Sequence, residues 1–153
     1  MDTQSAQKIE SEPAPQPVKD MILVVEDNRV QQMTYKGIFN YGRVLNRFTP
    51  IMVSTALEGL TCLTSIQPPM KLPALIILDW ELPGMSGLEL IQRLKADARW
   101  SGIPVIFATS HTGKGEVQQA KSAGAAGFLI KPIKVTALAS LVEKVLGLAT
   151  APP

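Results

Sequence analysis

Five short apolar runs, spaced through the chain and stopped by polar or turn-forming residues, constrain its fold more than any other feature. Met21-Ile22-Leu23-Val24-Val25 stops at Glu26-Asp27, and Ala74-Leu75-Ile76-Ile77-Leu78 stops at Asp79. Pro104-Val105-Ile106-Phe107-Ala108 stops at Thr109-Ser110, and Gly127-Phe128-Leu129-Ile130 stops at Lys131-Pro132. The fifth run, near 50–54, is weaker because Thr49, Pro50 and Ser54 interrupt it. Runs this short and this uniformly apolar read as strands buried on both faces, the pattern of a parallel sheet.

Helical periodicity fills the intervals. A helix is expected from a cap at Asn28 to about Phe39. The second covers 55–66, with Ala56, Leu57, Leu60 and Leu63 at helical spacing. Gln67-Pro68-Pro69 then leads as a loop to the third strand. Ser86 caps a third helix over 87–97, whose Leu88, Ile91 and Leu94 share a face. The fourth, over 114–123, stops at Gly124. The last, over 134–147, carries Leu138, Leu141, Val142 and Val145 and stops at Gly147. Five such strand–helix units predict an α/β fold with a parallel sheet and helices on both faces.

Composition narrows the class. The chain has 153 residues, of which 46% are hydrophobic, enough for one domain with a core. Residues 1–19, with Pro13, Pro15 and Pro17 among polar side chains, are expected to form a flexible tail. Residues 149–153 are expected to fray, leaving 20–148 as the domain. No apolar run approaches the ~18–20 residues of a membrane span, and the first residues lack the pattern of a secretory signal. Cys62 is the only cysteine, so no intrachain disulfide forms and a reducing cytoplasm fits. The net charge of +2 is too small to argue for direct nucleic-acid binding.

In open parallel sheets, sites form beyond the carboxyl ends of the strands. Glu26, Asp27, Asp79, Thr109 and Lys131 would therefore gather at one edge. Adjacent carboxylates repel unless a cation or donors intervene, and Mg²⁺ prefers oxygen ligands; a solvated acidic pair after a strand is the plainer alternative. Asp79 offers a nucleophile towards phosphorus, or is an ordinary loop acid. Trp80-Glu81-Leu82-Pro83-Gly84-Met85-Ser86-Gly87 fixes a turn after it. Thr109 is a hydroxyl donor or a turn former. Lys131 precedes Pro132, and a cis bond there would turn the ammonium over the strand ends.

Taken in order, these residues resemble the receiver domain of two-component response regulators. The resemblance covers about 20–148. It rests on Val24-Val25-Glu26-Asp27-Asn28, Ile77-Leu78-Asp79 with the turn just quoted, Ile103 to Ser110, and Gly124 to Pro132. It implies a flavodoxin-like doubly wound sheet in strand order 2-1-3-4-5. It also implies that Asp79 accepts a phosphoryl group from a sensor histidine kinase or a histidine phosphotransfer protein. Mg²⁺ would be held by Asp27, Asp79 and the backbone carbonyl of Glu81, with Glu26 acting largely through water. Thr109, Lys131 and the Trp80 backbone N–H would bind phosphoryl oxygens. Thr109 and Phe128 would form the switch; Phe lacks the hydroxyl that tyrosine carries in many receivers.

Output is then expected through the fourth helix, fifth strand and fifth helix, to a downstream protein or a homodimer partner. Only a few residues follow the last helix, so the effect comes from partner binding or from further domains of a longer protein. The chain would not be a classical enzyme: it would phosphorylate and dephosphorylate itself. Two other classes stay open: a Mg²⁺-dependent phosphohydrolase with an aspartate nucleophile, in which Glu81 is the second acid, and a receiver fold used as a scaffold. Glu26 stands where an aspartate is more usual. The 52 residues from Asp27 to Asp79 exceed the spacing of compact members, and the surplus falls to Asn40–Arg47 and Gln67–Leu72. Basic residues and aromatics mingle from Tyr35 to Phe48, as a docking patch or as a solvated face beside a packed loop. Glu81 and His111 would flank the phosphoryl site.

Overall fold

The computed structural model describes residues 19–110 and 113–148. The expected tails, apart from Lys19, and His111 lie outside the described residues. Five strands and five α-helices alternate: β1 (Asp20–Val25), α1 (Arg29–Tyr41), β2 (Phe48–Val53), α2 (Ala56–Ser65), β3 (Leu75–Asp79), α3 (Gly87–Ala96), β4 (Val105–Thr109), α4 (Lys114–Ser122), β5 (Gly127–Ile130) and α5 (Val135–Leu146). A 3₁₀ turn, Leu45–Arg47, links α1 to β2. Every strand pair is parallel, and the order is β2-β1-β3-β4-β5. This is the flavodoxin-like fold expected from the sequence.

Side chains alternate across the strands and so sort into two cores. Ile22, Val24, Leu75, Ile77 and Ile106 face α1 and α5, where Tyr35, Phe39, Leu138 and Val142 cover them. Leu23, Val25, Ile76, Leu78 and Phe107 face α2, α3 and α4, against Leu63, Leu90, Ile91 and Leu94. Burial on both faces explains the unbroken apolar runs of β1, β3 and β4.

Caps fix where the helices start, and so set the loops that carry the site. Asn28 accepts the Gln31 N–H at 3.1 Å and Ser86 accepts the Glu89 N–H at 3.1 Å. Thr55 accepts the Glu58 N–H at 3.0 Å, while the Glu58 carboxylate accepts the Ser54 N–H at 2.8 Å.

One strand begins earlier than its sequence suggests. β2 starts at Phe48, and Pro50 pairs opposite Ile22 within it. An edge strand tolerates proline because only one of its sides must donate to the sheet. The aromatics between 35 and 48 divide: Tyr35, Phe39 and Phe48 are core, while Tyr41 is 89% exposed.

Candidate functional site

The carboxyl ends of β1, β3, β4 and β5 bring the expected residues together. An open cleft of about 460 Å³ is lined by Asp27, Asp79, Glu81, Thr109, Ser110 and Lys131, with Asn28 and Gln31 from the start of α1. Asp79 ends β3 and is 8% exposed; Glu26 and Thr109 are each 1% exposed. Carboxylates are almost never buried without a partner, and here the partner is Lys131. Its ammonium donates to Glu26 Oε1 at 2.7 Å and to Asp79 Oδ2 at 3.0 Å. The Lys131–Pro132 peptide is cis.

Charge is unevenly balanced in this pocket. Glu26, Asp27 and Asp79 each offer an oxygen within 4.8 Å of the others. Three carboxylates against one ammonium leave an excess of negative charge. Burial first, and then the neighbouring Asp79 carboxylate, push the Glu26 carboxyl up to about 7 against the pull of Lys131. Burial alone would lower the Lys131 ammonium, but its bonds to Glu26 and Asp79 outweigh that and hold it above its ordinary value. Glu26 Oε2 is buried and, among the described residues, has no hydrogen-bond partner. An orphaned carboxylate oxygen beside two further acids fits a hard divalent cation, so the residues present suit Mg²⁺.

Local geometry supports Asp79 from behind. Its Oδ1 accepts the Glu81 N–H at 3.2 Å. Gly87 lies so close that an added Cβ would come within 2.3 Å of the Asp79 carbonyl oxygen and 3.1 Å of the Phe107 ring. Only glycine fits there, and this is the constraint behind the second glycine of the turn. Gly84, at φ 75°, supplies the left-handed residue of the same turn.

Thr109 and Lys131 are joined through the backbone, the Lys131 N–H donating to the Thr109 carbonyl at 2.7 Å. Phe128 is half-buried. Its ring meets Trp80 edge-on at 6.5 Å, and Trp80 in turn lies 4.9 Å from Phe107.

One expectation needs correcting. The Trp80 backbone N–H donates to the Ala108 carbonyl at 3.1 Å, within the extension of the β3–β4 ladder, and does not stand open to the cleft. The sequence reading also missed Gln32, whose amide donates to the Glu26 carbonyl and, at 3.1 Å, to Ser54 Oγ. That bond ties α1 to both strand ends beside the acids. A glutamine four residues after a helix cap carries no signal that would single it out.

Comparison with known proteins agrees with this geometry. The response regulator receiver domain family matches residues 22–143, and the chain belongs to that family. Chemotaxis protein CheY1 of Helicobacter pylori is 39% identical over 72 residues, a stretch covering 47% of this chain and 58% of that protein. The chain therefore spans little more than half the length of that relative. A signal receiver domain of a histidine kinase from Syntrophus aciditrophicus superposes with TM-score 0.71 at 30% identity, covering 84% of this chain and 90% of that one. The receiver domain of a sensor histidine kinase from Pseudomonas aeruginosa shares the fold at 21% identity and TM-score 0.72, over 85% of this chain and 99% of its own; it was crystallised with magnesium in its cleft. Membership makes this a receiver domain of two-component signalling. Among the described residues, no helix is long and apolar enough to cross a membrane.

Proposed function

We propose that Asp79 takes a phosphoryl group from a phosphohistidine on a sensor histidine kinase or a histidine phosphotransfer protein. The supporting observation is the ammonium of Lys131, shared between Asp79 and Glu26 at the floor of an open acidic cleft. An Asp79 carboxylate oxygen attacks phosphorus. The O–P bond forms as the N–P bond to the donor imidazole breaks, and the electron pair leaves on that nitrogen. Phosphoryl transfer asks a protein mainly for positioning and charge neutralisation. Lys131 supplies a point charge, and Thr109 a hydroxyl donor, to the new phosphoryl oxygens. Glu26, Asp27, Asp79 and the Glu81 carbonyl would hold Mg²⁺, which when bound neutralises charge on the transferring group. Attack by water on the same acyl phosphate returns the carboxylate, so the chain is a self-limiting acceptor, not an enzyme with a released substrate. Because a kinase donor draws on ATP, the reading carries a cytoplasmic location with it.

Signal leaves by the strands that carry Thr109 and Lys131. When Thr109 moves to a phosphoryl oxygen, Phe128 can follow beside Trp80, changing the face of α4, β5 and α5. Ile130 is 53% and Val135 42% exposed on that face, ready for a downstream protein or a second copy of the chain. Incubation with Mg²⁺ and acetyl phosphate, followed by intact mass, tests the assignment. The parent gains one phosphoryl group that hydroxylamine removes, and Asp79→Asn gains none. Full labelling of that variant would place the nucleophile elsewhere.

A further inference from the structure

The receiver motif leaves two stretches unexplained, one on each side of β1. Residues 40–47 and 67–72 carry the surplus length noted in the sequence, and both end beside the start of β1. Phe48, directly after the first, pairs with Asp20. Ala74, just beyond the second, donates its N–H to the Met21 carbonyl at 2.8 Å. A groove of about 390 Å³ opens there, lined by Lys19, Asp20, Met21, Pro69, Met70 and Lys71.

Its surroundings are basic. No Asp or Glu occurs from Asn40 to Leu57, a segment that contains Arg43 and Arg47. Both cations are exposed, and among the described residues neither has an ion-pair partner. Arg43 and Arg47 lie in the stretch that leads into β2, so they reach the same end of the sheet as Lys19 and Lys71. Among the described residues Asp20 is the one acid lining the groove. Apolar surface accompanies the charge: Met70 is 61%, Leu72 36% and Tyr41 89% exposed. Single exposed apolar residues are ordinary, but a group of them rimmed by charge marks a binding surface.

We propose that this end of the sheet docks an acidic segment of a partner protein. An apolar side chain of the segment enters the groove over Met21, Pro69 and Met70, and its flanking carboxylates meet Lys19, Lys71 and the nearby arginines. The complementarity is of charge and of shape together. A phosphate backbone would satisfy the cations but bring nothing for the methionines. The site lies a strand's length, about 17–20 Å, from Asp79, so binding is the same in both phosphorylation states. It is a constitutive anchor, distinct from a phosphorylation-controlled output face.

The test is an amide NMR titration of the full chain with a short capped peptide, glutamates on both sides of a Leu-Phe pair. Expected shifts fall at 19–21, 43–47 and 70–72, and beryllium fluoride leaves the affinity unchanged. Lys19→Glu combined with Lys71→Glu weakens binding by about tenfold while the far-ultraviolet spectrum is retained. Met70→Asp weakens it comparably. Shifts confined to 79–83 or 127–135, or no shifts at millimolar peptide, would overturn the proposal. So would equal competition by oligoglutamate or single-stranded DNA, which would reduce the surface to plain ion attraction, or an affinity that changes severalfold with beryllium fluoride.

Discussion

Where β1, β3, β4 and β5 end, carboxylates, a hydroxyl and an ammonium converge; where β1 begins, lysines and arginines surround exposed methionine and proline. Both ends are built on the same five strands, yet they hold charge in different ways. At the carboxyl end Glu26 and Thr109 are almost inaccessible, and Lys131 is locked between two acids. Burying these groups costs solvation, which is recovered only in a fixed arrangement. At the amino end the cations are exposed and, among the described residues, form no ion pair, so they can choose rotamers for an incoming surface. The difference separates a preorganised chemical site from an adaptable binding surface.

The largest effect should come from Asp79→Asn, which removes the nucleophile while preserving shape and abolishes labelling by acetyl phosphate. Next is Lys131→Ala. Its helical spectrum should persist, but phosphorylation should slow by about 10²-fold, the order expected when one charged stabilising donor is lost. A labelling rate within a factor of about two of the parent would show the ammonium to be structural only.

Glu26→Gln probes the cost of burial itself. The folded-state pKa of Glu26 is raised from 4.5 to about 7, so the folded protein holds that proton more tightly than the unfolded chain does. Stability from this group is therefore full below the unfolded value and falls as pH rises to the folded one. The raised Lys131 pKa acts in the same sense, but only in the alkaline range beyond its ordinary value. Urea denaturation with chelator present should show the parent weaker at about pH 8 than at about pH 5, and Glu26→Gln recovering about 2 kcal/mol at the higher pH. Equal pH dependence in the two proteins would remove Glu26 as the cause. Asp27→Ala should weaken Mg²⁺ binding by about tenfold, read from Trp80 fluorescence; an unchanged titration would remove Asp27 from the metal site. The smallest effect is expected at the opposite end, where Lys19→Glu with Lys71→Glu should leave the labelling rate within about twofold, since screening over a strand's length is nearly complete.

Much of this was legible in the sequence, for a physical reason. Strands buried on both faces write themselves as unbroken apolar runs, so β1, β3 and β4 and the residues that stop them stand out; β5 is also a short apolar run, but as an edge strand it leaves Ile130 exposed. Ser86 and Asn28 announce their helices by side-chain capping. β2 was less clear because an edge strand need satisfy only one side, which lets Pro50 sit inside it. Contacts that depend on three-dimensional closeness left no trace. Gly87 reads as a turn residue until its approach to the Asp79 carbonyl is seen, and the Trp80 N–H reads as available until the ladder claims it. The surplus stretches at 40–47 and 67–72 were visible as length, but their placement on the two sides of β1 follows from strand register alone.

Hydrogen exchange with and without beryllium fluoride and Mg²⁺ tests the central claim most directly, because it reads both ends of the sheet in one experiment. Protection should rise around 79–83 and change across 105–110 and 127–135, while 43–49 and 67–72 exchange as before. Changes confined to residues 20–72, with none from Asp79 onward, would contradict a phosphoryl site at the carboxyl end that signals through β4 and β5.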